Sequence, residues 1–383
     1  MCFRILAPFF RKARDSGKYP WVIGGHRGRI YEDNSGALHS YIFKHTKQPI
    51  IWIANSPMLL KESCAQGRGC AILKRNSFAA RLAILRAPVL IYSHGEDDLD
   101  LFLLFFRKAL GMRVFLGHSL KFLKTGQYTR LGFGKWTWPK RKLYAFLMTD
   151  FDLFPMSSPA EKKHGDAAFR YRTERILPYG GGAHIDRMLA LREEQPANII
   201  TWFPTFRDKK AEQNNAYKVI NNILNSARLH EYLEKEDLRL AVAGHINSKN
   251  MQSEISNLHP RISIHSAKEA IPLLGSSVCF ISDYSGLISN WLCFGRPLIL
   301  FPFDKEEYLK SRSLCVSLED IHYGPLVYTA EDFLEALCSG TWKDMKPYAE
   351  KRKHWMNEIF PDLRPGYSER CYEAIRKFPI FKT

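Results

Sequence analysis

Acidic residues are scarce in this chain: Asp and Glu number 39 against 56 Lys and Arg, a net charge of +17. Such an excess points to an anionic partner, whether nucleic acid, an anionic membrane face or a phosphorylated substrate, and does not choose among them. Other absences exclude whole classes. No uncharged apolar run reaches the roughly 18 residues of a bilayer-spanning helix. No Cys-x-x-Cys pair occurs. The cysteines (Cys2, Cys64, Cys70, Cys279, Cys293, Cys315, Cys338 and Cys371) are scattered, several of them in apolar runs such as Val278-Cys279-Phe280-Ile281. That is the pattern of buried free thiols in a reducing compartment. There is no Walker sequence, no Gly-x-Gly-x-x-Gly opening a helix, no Gly-x-Ser-x-Gly elbow and no His-Glu-x-x-His, which removes P-loop, standard dinucleotide-binding, serine-hydrolase and zincin chemistry. Long low-complexity tracts and internal repeats are missing as well, so the chain folds and is not a solenoid. The segment from Met1 to Arg14 mixes Phe3, Ile5, Leu6, Phe9 and Phe10 with Arg4, Arg11, Lys12 and Arg14. It lacks the apolar core and small-residue cleavage site of a signal peptide. The expectation is a cytosolic protein, with contact to a membrane surface left open.

What is present is the material for two domains. The chain has 383 residues, 45% of them hydrophobic, enough for a substantial core in each. Short apolar runs at Trp21-Val22-Ile23, 50–54, 89–92 and Val114-Phe115-Leu116 read as buried strands, the first and last passing into Gly-His loops. Asp33-Asn34-Ser35 reads as a helix N-cap. The second half is more regular. Strands are expected at 198–203, 238–243, 262–264, 278–281 and 298–301, and helices at 217–233, 267–274 and 287–294, the last stopped by Gly295 with Pro297 beyond. Strands alternating with helices imply βαβ units and parallel sheets. The polar stretch Arg192-Glu193-Glu194-Gln195-Pro196 breaks the pattern, giving expected domains of 1–195 and 196–350, with helices in 351–383 folding back on the first.

Four stretches carry candidate chemistry. Residues 118–142 hold Lys121, Lys124, Arg130, Lys135, Lys140, Arg141 and Lys142 and no acidic residue, with Tyr128, Trp136 and Trp138 interleaved. This reads either as a solvated loop or as a surface for anionic headgroups, with indoles at the interface. Asp98-Leu99-Asp100 and Asp150-Phe151-Asp152 match the Asp-x-Asp of metal-dependent glycosyltransferases, a match so short that chance explains it. The most specific segment is Ile281-Ser282-Asp283-Tyr284-Ser285-Gly286, between an apolar strand and an apolar helix. A helix start offers unpaired N–H groups and the positive dipole end to a phosphate, and Ser282 and Ser285 add hydroxyls. Asp283 caps the helix or orients a donor.

Residues 276–328 resemble the CDP-glycerol glycerophosphotransferase family of teichoic-acid primases and polymerases. The family's Ile-Thr-Asp-Tyr-Ser-Ser is similar to Ile281–Gly286. Its Lys-Pro-Ile strand is similar to Arg296-Pro297-Leu298, its Tyr-Asp-x-x-x-Tyr to Phe303-Asp304-Lys305-Glu306-Glu307-Tyr308, and its later Gly-Pro to Gly324-Pro325. Further back, Ala-Pro-Thr-Trp-Arg-Asp resembles Phe203-Pro204-Thr205-Phe206-Arg207-Asp208, a strand-ending histidine resembles His245, and the histidine of His-Gly-Thr-Pro-Leu-Lys resembles His118, with Lys124 one place late. Trp21 to Ser35 looks like the family's opening strand and Asp-Asn-Ser, so the resemblance covers most of the chain. Gly286 stands where the family has its second serine, Ser119 where it has glycine, and Gly181-Gly182-Ala183-His184-Ile185-Asp186 is a partial match to Gly-x-Pro-Arg-x-Asp.

The resemblance implies a GT-B fold, two Rossmann-like domains with parallel sheets facing a cleft. It also implies transfer of a polyol phosphate, glycerol phosphate foremost, from a CDP-activated donor with release of CMP. His118 is then the expected base. Arg207 is the expected phosphate fork, and His245 with Ser282, Asp283, Ser285 and Gly286 completes a pyrophosphate cradle. Lys124, Thr205, Asp208, Glu307 and Arg312 are secondary candidates. Lys135, Trp136, Trp138, Lys140 and Arg141 are the expected membrane-facing residues. No metal ligand set is visible and no tightly bound cofactor is expected. The expected partners are a CDP-glycerol or CDP-ribitol donor, a lipid-linked or polymeric glycan acceptor and the cytoplasmic face of the membrane, with nucleic acid a minor candidate. The alternatives are a GT-B glycosyltransferase using a nucleotide sugar and a non-enzymatic basic protein binding membrane or nucleic acid.

Overall fold

A strand of a parallel sheet is covered on both faces, so it reads as an unbroken apolar run rather than an alternation. In the computed structural model, which describes residues 19–55, 71–100, 110–120, 122–123, 139, 151–168, 173–205, 207, 210–244, 258–312 and 314–378, the apolar runs form two such sheets. The first contains β1 (Trp21–Gly24), β2 (Ile50–Ala54), β3 (Ala71–Lys74), β4 (Val89–Tyr92) and β5 (Met112–Phe115) in the order β3-β2-β1-β4-β5. All of its pairs are parallel. Alternate residues enter two cores. Trp21, Ile23, Trp52, Ile91 and Val114 meet Leu38 and Ile42 of α1 (Asp33–His45). Val22, Ile51, Ile53, Leu90 and Tyr92 meet Ala80 and Ile84 of α2 (Phe78–Arg86). Strand β3 was not expected from sequence, because it is a half-exposed edge strand with no apolar run to announce it.

A two-stranded parallel pair follows, β6 (Phe154–Pro155) and β7 (Ile176–Leu177), with α3 (Pro159–Ala168) between. Helix α4 (Ile185–Arg192) then leads to the second sheet. That sheet contains β8 (Ile199–Phe203), β9 (Arg239–Ala243), β10 (Ile262–His265), β11 (Ser277–Ser282) and β12 (Leu298–Leu300) in the order β10-β9-β8-β11-β12, again all parallel. Trp202, Phe301 and Phe333 stack in its core, Phe333 coming from the helix Ala330–Cys338. The single helix expected over 217–233 is two, α5 (Lys210–Leu224) and α6 (Ala227–Lys235). Ser226 is extended at ψ 126° and starts the second, while the Asn225 amide folds back onto the Asn221 carbonyl at 2.9 Å. After α7 (Ala267–Ser276), the helix expected over 287–294 is α8 (Leu287–Trp291) followed by a 3₁₀ turn, Leu292–Phe294. A Cβ on Gly324 would lie 1.9 Å from the Leu298 carbonyl oxygen, so only glycine lets the 324–327 segment lie against β12.

The described residues separate into two compact units. One holds those before 121, those from 139 to 187 and those from 364 onward; the other holds 122–123 and 188–363. The change falls after Arg187, a few residues before the polar stretch that suggested it. The helix Ala349–Ile359 belongs to the second unit. The helix Tyr367–Lys377 returns to the first, burying Cys371 and Ile375 beside α1. Its start is held by Asp186, whose carboxylate accepts the amides of Gly366, Tyr367 and Ser368 at 2.8, 2.9 and 2.7 Å. In both sheets the chain reverses its direction of travel next to the central strand, at β1/β4 and at β8/β11. Connections leave that point toward opposite faces, which opens the carboxyl ends of the strands there.

His39, on α1, is 2% exposed against Trp52 and Tyr31. Burial lowers its pKa to about 4 from 6.5. The unfolded chain takes up that proton near 6.5 and the folded chain only near 4. The stabilisation is therefore complete above pH 6.5 and is lost as the pH falls through this window, by roughly 3 kcal/mol in total. Urea unfolding followed from neutral pH to about pH 5 should show this loss, and His39→Gln should flatten it; an unchanged pH slope in the variant would assign the loss to another group.

Candidate active site

The switch point of the first sheet is lined by histidines. His26 and His94 each lie two residues past the end of their strands, β1 and β4, and His118 lies three residues past β5. The three rings form a column: His26 to His94 at 4.0 Å between centroids, and His94 to His118 at 4.5 Å with planes 11° apart. His118 is the exposed end. It follows Gly117, whose φ of +68° makes the turn. That turn is pinned from α1: the Asn34 amide donates to the carbonyls of Leu116 (3.2 Å) and Gly117 (2.9 Å), while its oxygen accepts the His184 amide at 3.0 Å.

The middle ring is held from below. The buried Asp98 carboxylate accepts the backbone N–H groups of Arg27 (2.8 Å), Ser93 (3.1 Å) and His94 (2.8 Å). Burial would raise the pKa of Asp98, but its hydrogen bond to His94 and these amides outweigh that and lower it. Ser93 Oγ lies 3.0 Å from His94 Nδ1. Asp33–Ser35 do not cap α1. The N-cap is Glu32, which makes no side-chain cap; Asp33 pairs with His26 at 2.5 Å, and Asn34 serves the turn before His118.

The switch point of the second sheet is built differently. Arg207 past β8, Asp283 past β11 and Asp304 past β12 form a buried ion cluster. The Arg207 guanidinium, 1% exposed, gives Asp304 a two-pronged contact at 2.7 and 2.8 Å and reaches Asp283 at 2.9 Å. It also donates to the Thr205 carbonyl. The rings of Tyr284, Phe303 and Tyr308 surround it at 5.2–5.4 Å, and Tyr284 donates to Asp304 at 3.0 Å. Burial opposes its charge, but Asp283 and Asp304 more than compensate and raise its pKa.

This corrects two expectations. Arg207 is not poised as a phosphate fork: its donors are spent on carboxylates of the same unit, so it orders the loops after β8, β11 and β12. Ser282 offers no hydroxyl either, since its Oγ–H donates to the Phe203 carbonyl at 2.8 Å and ties β11 to β8. Asp283 accepts the Thr205 and Tyr284 amides as well as pairing with Arg207. What remains for a ligand in this turn is Ser285, whose oxygen accepts only the Leu287 amide (3.2 Å), the half-buried Gly286, and the Thr205 hydroxyl, buried without a partner among the described residues. Glu307 sits on the exposed side of the helix Lys305–Ser311, paired with Lys310 at 2.9 Å, and Arg312 is that helix's C-cap. His245, Lys124, Asp208, Lys135, Trp136, Trp138, Lys140 and Arg141 lie outside the described residues. Of the Asp-x-Asp carboxylates, Asp150 lies outside the described residues and the other three are engaged: Asp98 as above, Asp100 with Arg81 at 2.8 Å, and Asp152 with Arg113 and Arg175.

Sequence reasoning missed His26 and His94 as neighbours of His118, and Asp304 as the partner of Arg207. One available signal was position, because each of them follows the end of an apolar strand within four residues.

Two doubly wound parallel sheets, each with its polar cluster at the switch point, make this a GT-B α/β chain. The wall teichoic acid polymerase TagF shares the fold at a TM-score of 0.70 and 16% identity, over 98% of this chain and 94% of that one. Residues 22–377 match the family described as CDP-Glycerol:Poly(glycerophosphate) glycerophosphotransferase, and the chain belongs to it. Among curated relatives, the teichoic acid ribitol-phosphate polymerase TarK of Staphylococcus aureus is 28% identical over 201 residues, covering 48% of this chain and 38% of TarK. The teichoic acid poly(ribitol-phosphate) polymerase of Bacillus spizizenii is 23% identical over 280 residues, 68% of this chain and 42% of the relative. The chain thus spans less than half the length of these relatives.

Removing Arg207 leaves Asp283 and Asp304 facing each other without their counter-ion. Arg207→Ala should cost about 3–5 kcal/mol in urea unfolding, and Arg207→Lys should restore little, since an ammonium cannot fork. Weakened donor binding at unchanged stability would return Arg207 to the phosphate.

Proposed function

We propose that the chain transfers a polyol phosphate, glycerol phosphate foremost, from a CDP-activated donor to a hydroxyl of a lipid-linked or cell-surface glycan. In the proposed step His118 takes the proton of the acceptor hydroxyl as its oxygen attacks the β-phosphorus. The bond from that phosphorus to the bridging oxygen breaks, and CMP leaves with the electron pair. The observation that carries the reading is the placement of His118: exposed, on a glycine turn that Asn34 pins at a switch point, inside a family match that spans nearly the whole chain. The first unit is assigned to the acceptor and the second to the donor, with Thr205, Ser285 and Gly286 toward the pyrophosphate and His245 joining them.

No helix among the described residues is long and apolar enough to cross a membrane. The acid-free stretch 118–142, with Trp136 and Trp138, and the Phe- and Arg-rich first residues suit a peripheral position on the cytoplasmic face, where a lipid-linked acceptor is held. The relatives' names point to ribitol phosphate as readily as the family's description points to glycerol phosphate, so the donor is the quantity to measure.

Incubation with CDP-glycerol, CDP-ribitol and UDP-sugars, scored by CMP or UDP release, is expected to give CMP from a CDP-polyol. Release of UDP alone would make the chain a nucleotide-sugar transferase. His118→Ala should abolish CMP release while leaving donor binding by calorimetry nearly intact; unchanged turnover would remove His118 from the chemistry.

A further inference from the structure

We infer that His26, Asp33 and His94 form a binding site for one borderline divalent metal ion, of the Zn²⁺ and Co²⁺ class, beside His118. One ligand atom from each of the three lies within 4.8 Å of the other two, and all three residues are half-buried. They come from three separate elements: the loop after β1, the first turn of α1 and the loop after β4. Two imidazoles and one carboxylate suit this class of ion and leave a fourth position open to an exogenous ligand.

The surroundings have the form of a ligand-orienting shell. Ser93 Oγ and the Asp98 carboxylate hold the His94 ring and backbone, at 3.0 Å to Nδ1 and 2.8 Å to the amide. The same Asp98 carboxylate accepts the Arg27 amide and so fixes the loop that carries His26. The local backbone is strained. His26, Arg27 and Asp33 have φ of +48°, +54° and +62°, the left-handed region that non-glycine residues enter at a cost of order 1 kcal/mol each. Strain of this kind persists where neighbouring contacts fix the conformation, and it collects at functional sites. His26 Nε2 and Asp33 Oδ2 now lie 2.5 Å apart, and that carboxylate oxygen is buried without a hydrogen-bond partner among the described residues. An ion held by both requires their ligand atoms to separate to roughly 3.3 Å, as tetrahedral bonds of about 2 Å dictate. An ion held there would supply positive charge beside the ring stack that ends in His118. That last role rests on the transfer reading above; the ion site does not.

The full-length chain, stripped by chelator and dialysed, is titrated with Zn²⁺ by calorimetry and with Co²⁺ by visible absorption. Expected are one ion per chain and the d–d bands of a tetrahedral nitrogen- and oxygen-ligated cobalt. His26→Gln and His94→Gln should each weaken binding by more than about tenfold, and Ser93→Ala by about tenfold. His230→Gln, in the other stacked histidine pair (4.5 Å from His259), should leave it unchanged. Absence of binding at micromolar ion, a sulfur-to-metal charge-transfer band, or binding indifferent to both site variants would overturn the assignment. Anomalous scattering from zinc in crystals of the unaltered chain locates the ion without any substitution, and a peak elsewhere overturns it equally. Failure of CMP release in the donor panel leaves these readouts untouched, so the two readings fail separately.

Discussion

Burial of the inner strands on both faces is the constraint from which the rest follows. In the first sheet Trp21, Ile23 and Trp52 enter one core while Val22, Ile51 and Ile53 enter the other, and the same division runs through β4. No face of an inner strand is left over for chemistry. Polar groups can then be carried only on the segments past the strand ends, and these open where the order of strands reverses. The histidine column and the Arg207 cluster occupy the equivalent place in their respective sheets for this one reason.

The two switch points solve different problems. In the second sheet, three loops that carry opposite charges converge beside the rings of Tyr284, Tyr308 and Phe303. A buried guanidinium between two carboxylates is costly to desolvate and more costly still to break. It fixes the geometry of the loops rather than adding much net stability. In the first sheet the imidazoles stay half-buried or exposed above a buried carboxylate. Asp98 satisfies three backbone amides at once, so the loops after β1 and β4 are locked to each other while the imidazole edges above them remain available. His118 differs from the other two histidines in being exposed and in sitting on a backbone turn that Asn34 pins.

Much of the fold was legible. The strands at 50–54 and 89–92 were read to the residue and those of the second half to within about a residue, because two-sided burial writes an uninterrupted apolar run. Strand β3 was not, since an exposed edge strand carries no such run. The break at Asn225-Ser226 was not, since the apolar spacing continues across it and only the extended backbone of Ser226 ends the helix. In the site, the 281–286 turn was singled out by its place between an apolar strand and an apolar helix, and His118 by resemblance in order and spacing. The meaning of Arg207 was misjudged: a lone arginine after a strand looks like an anion fork until its distant partner Asp304 is placed beside it.

The amino-acid order by itself determined the class of fold, the parallel sheets and the loops in which chemistry could reside, because strand burial and loop polarity are local properties that each segment carries alone. It could not determine which of those loops would meet. His26, His94 and His118 are separated by 68 and 24 positions, and Arg207 lies 97 from Asp304. Only the strand order β3-β2-β1-β4-β5 and its counterpart bring them within touching distance. Whether a histidine is a solvated loop residue or one ring of a column, and whether an arginine faces a ligand or a carboxylate, is a matter of distance and desolvation, and both are set by the packing of the whole unit.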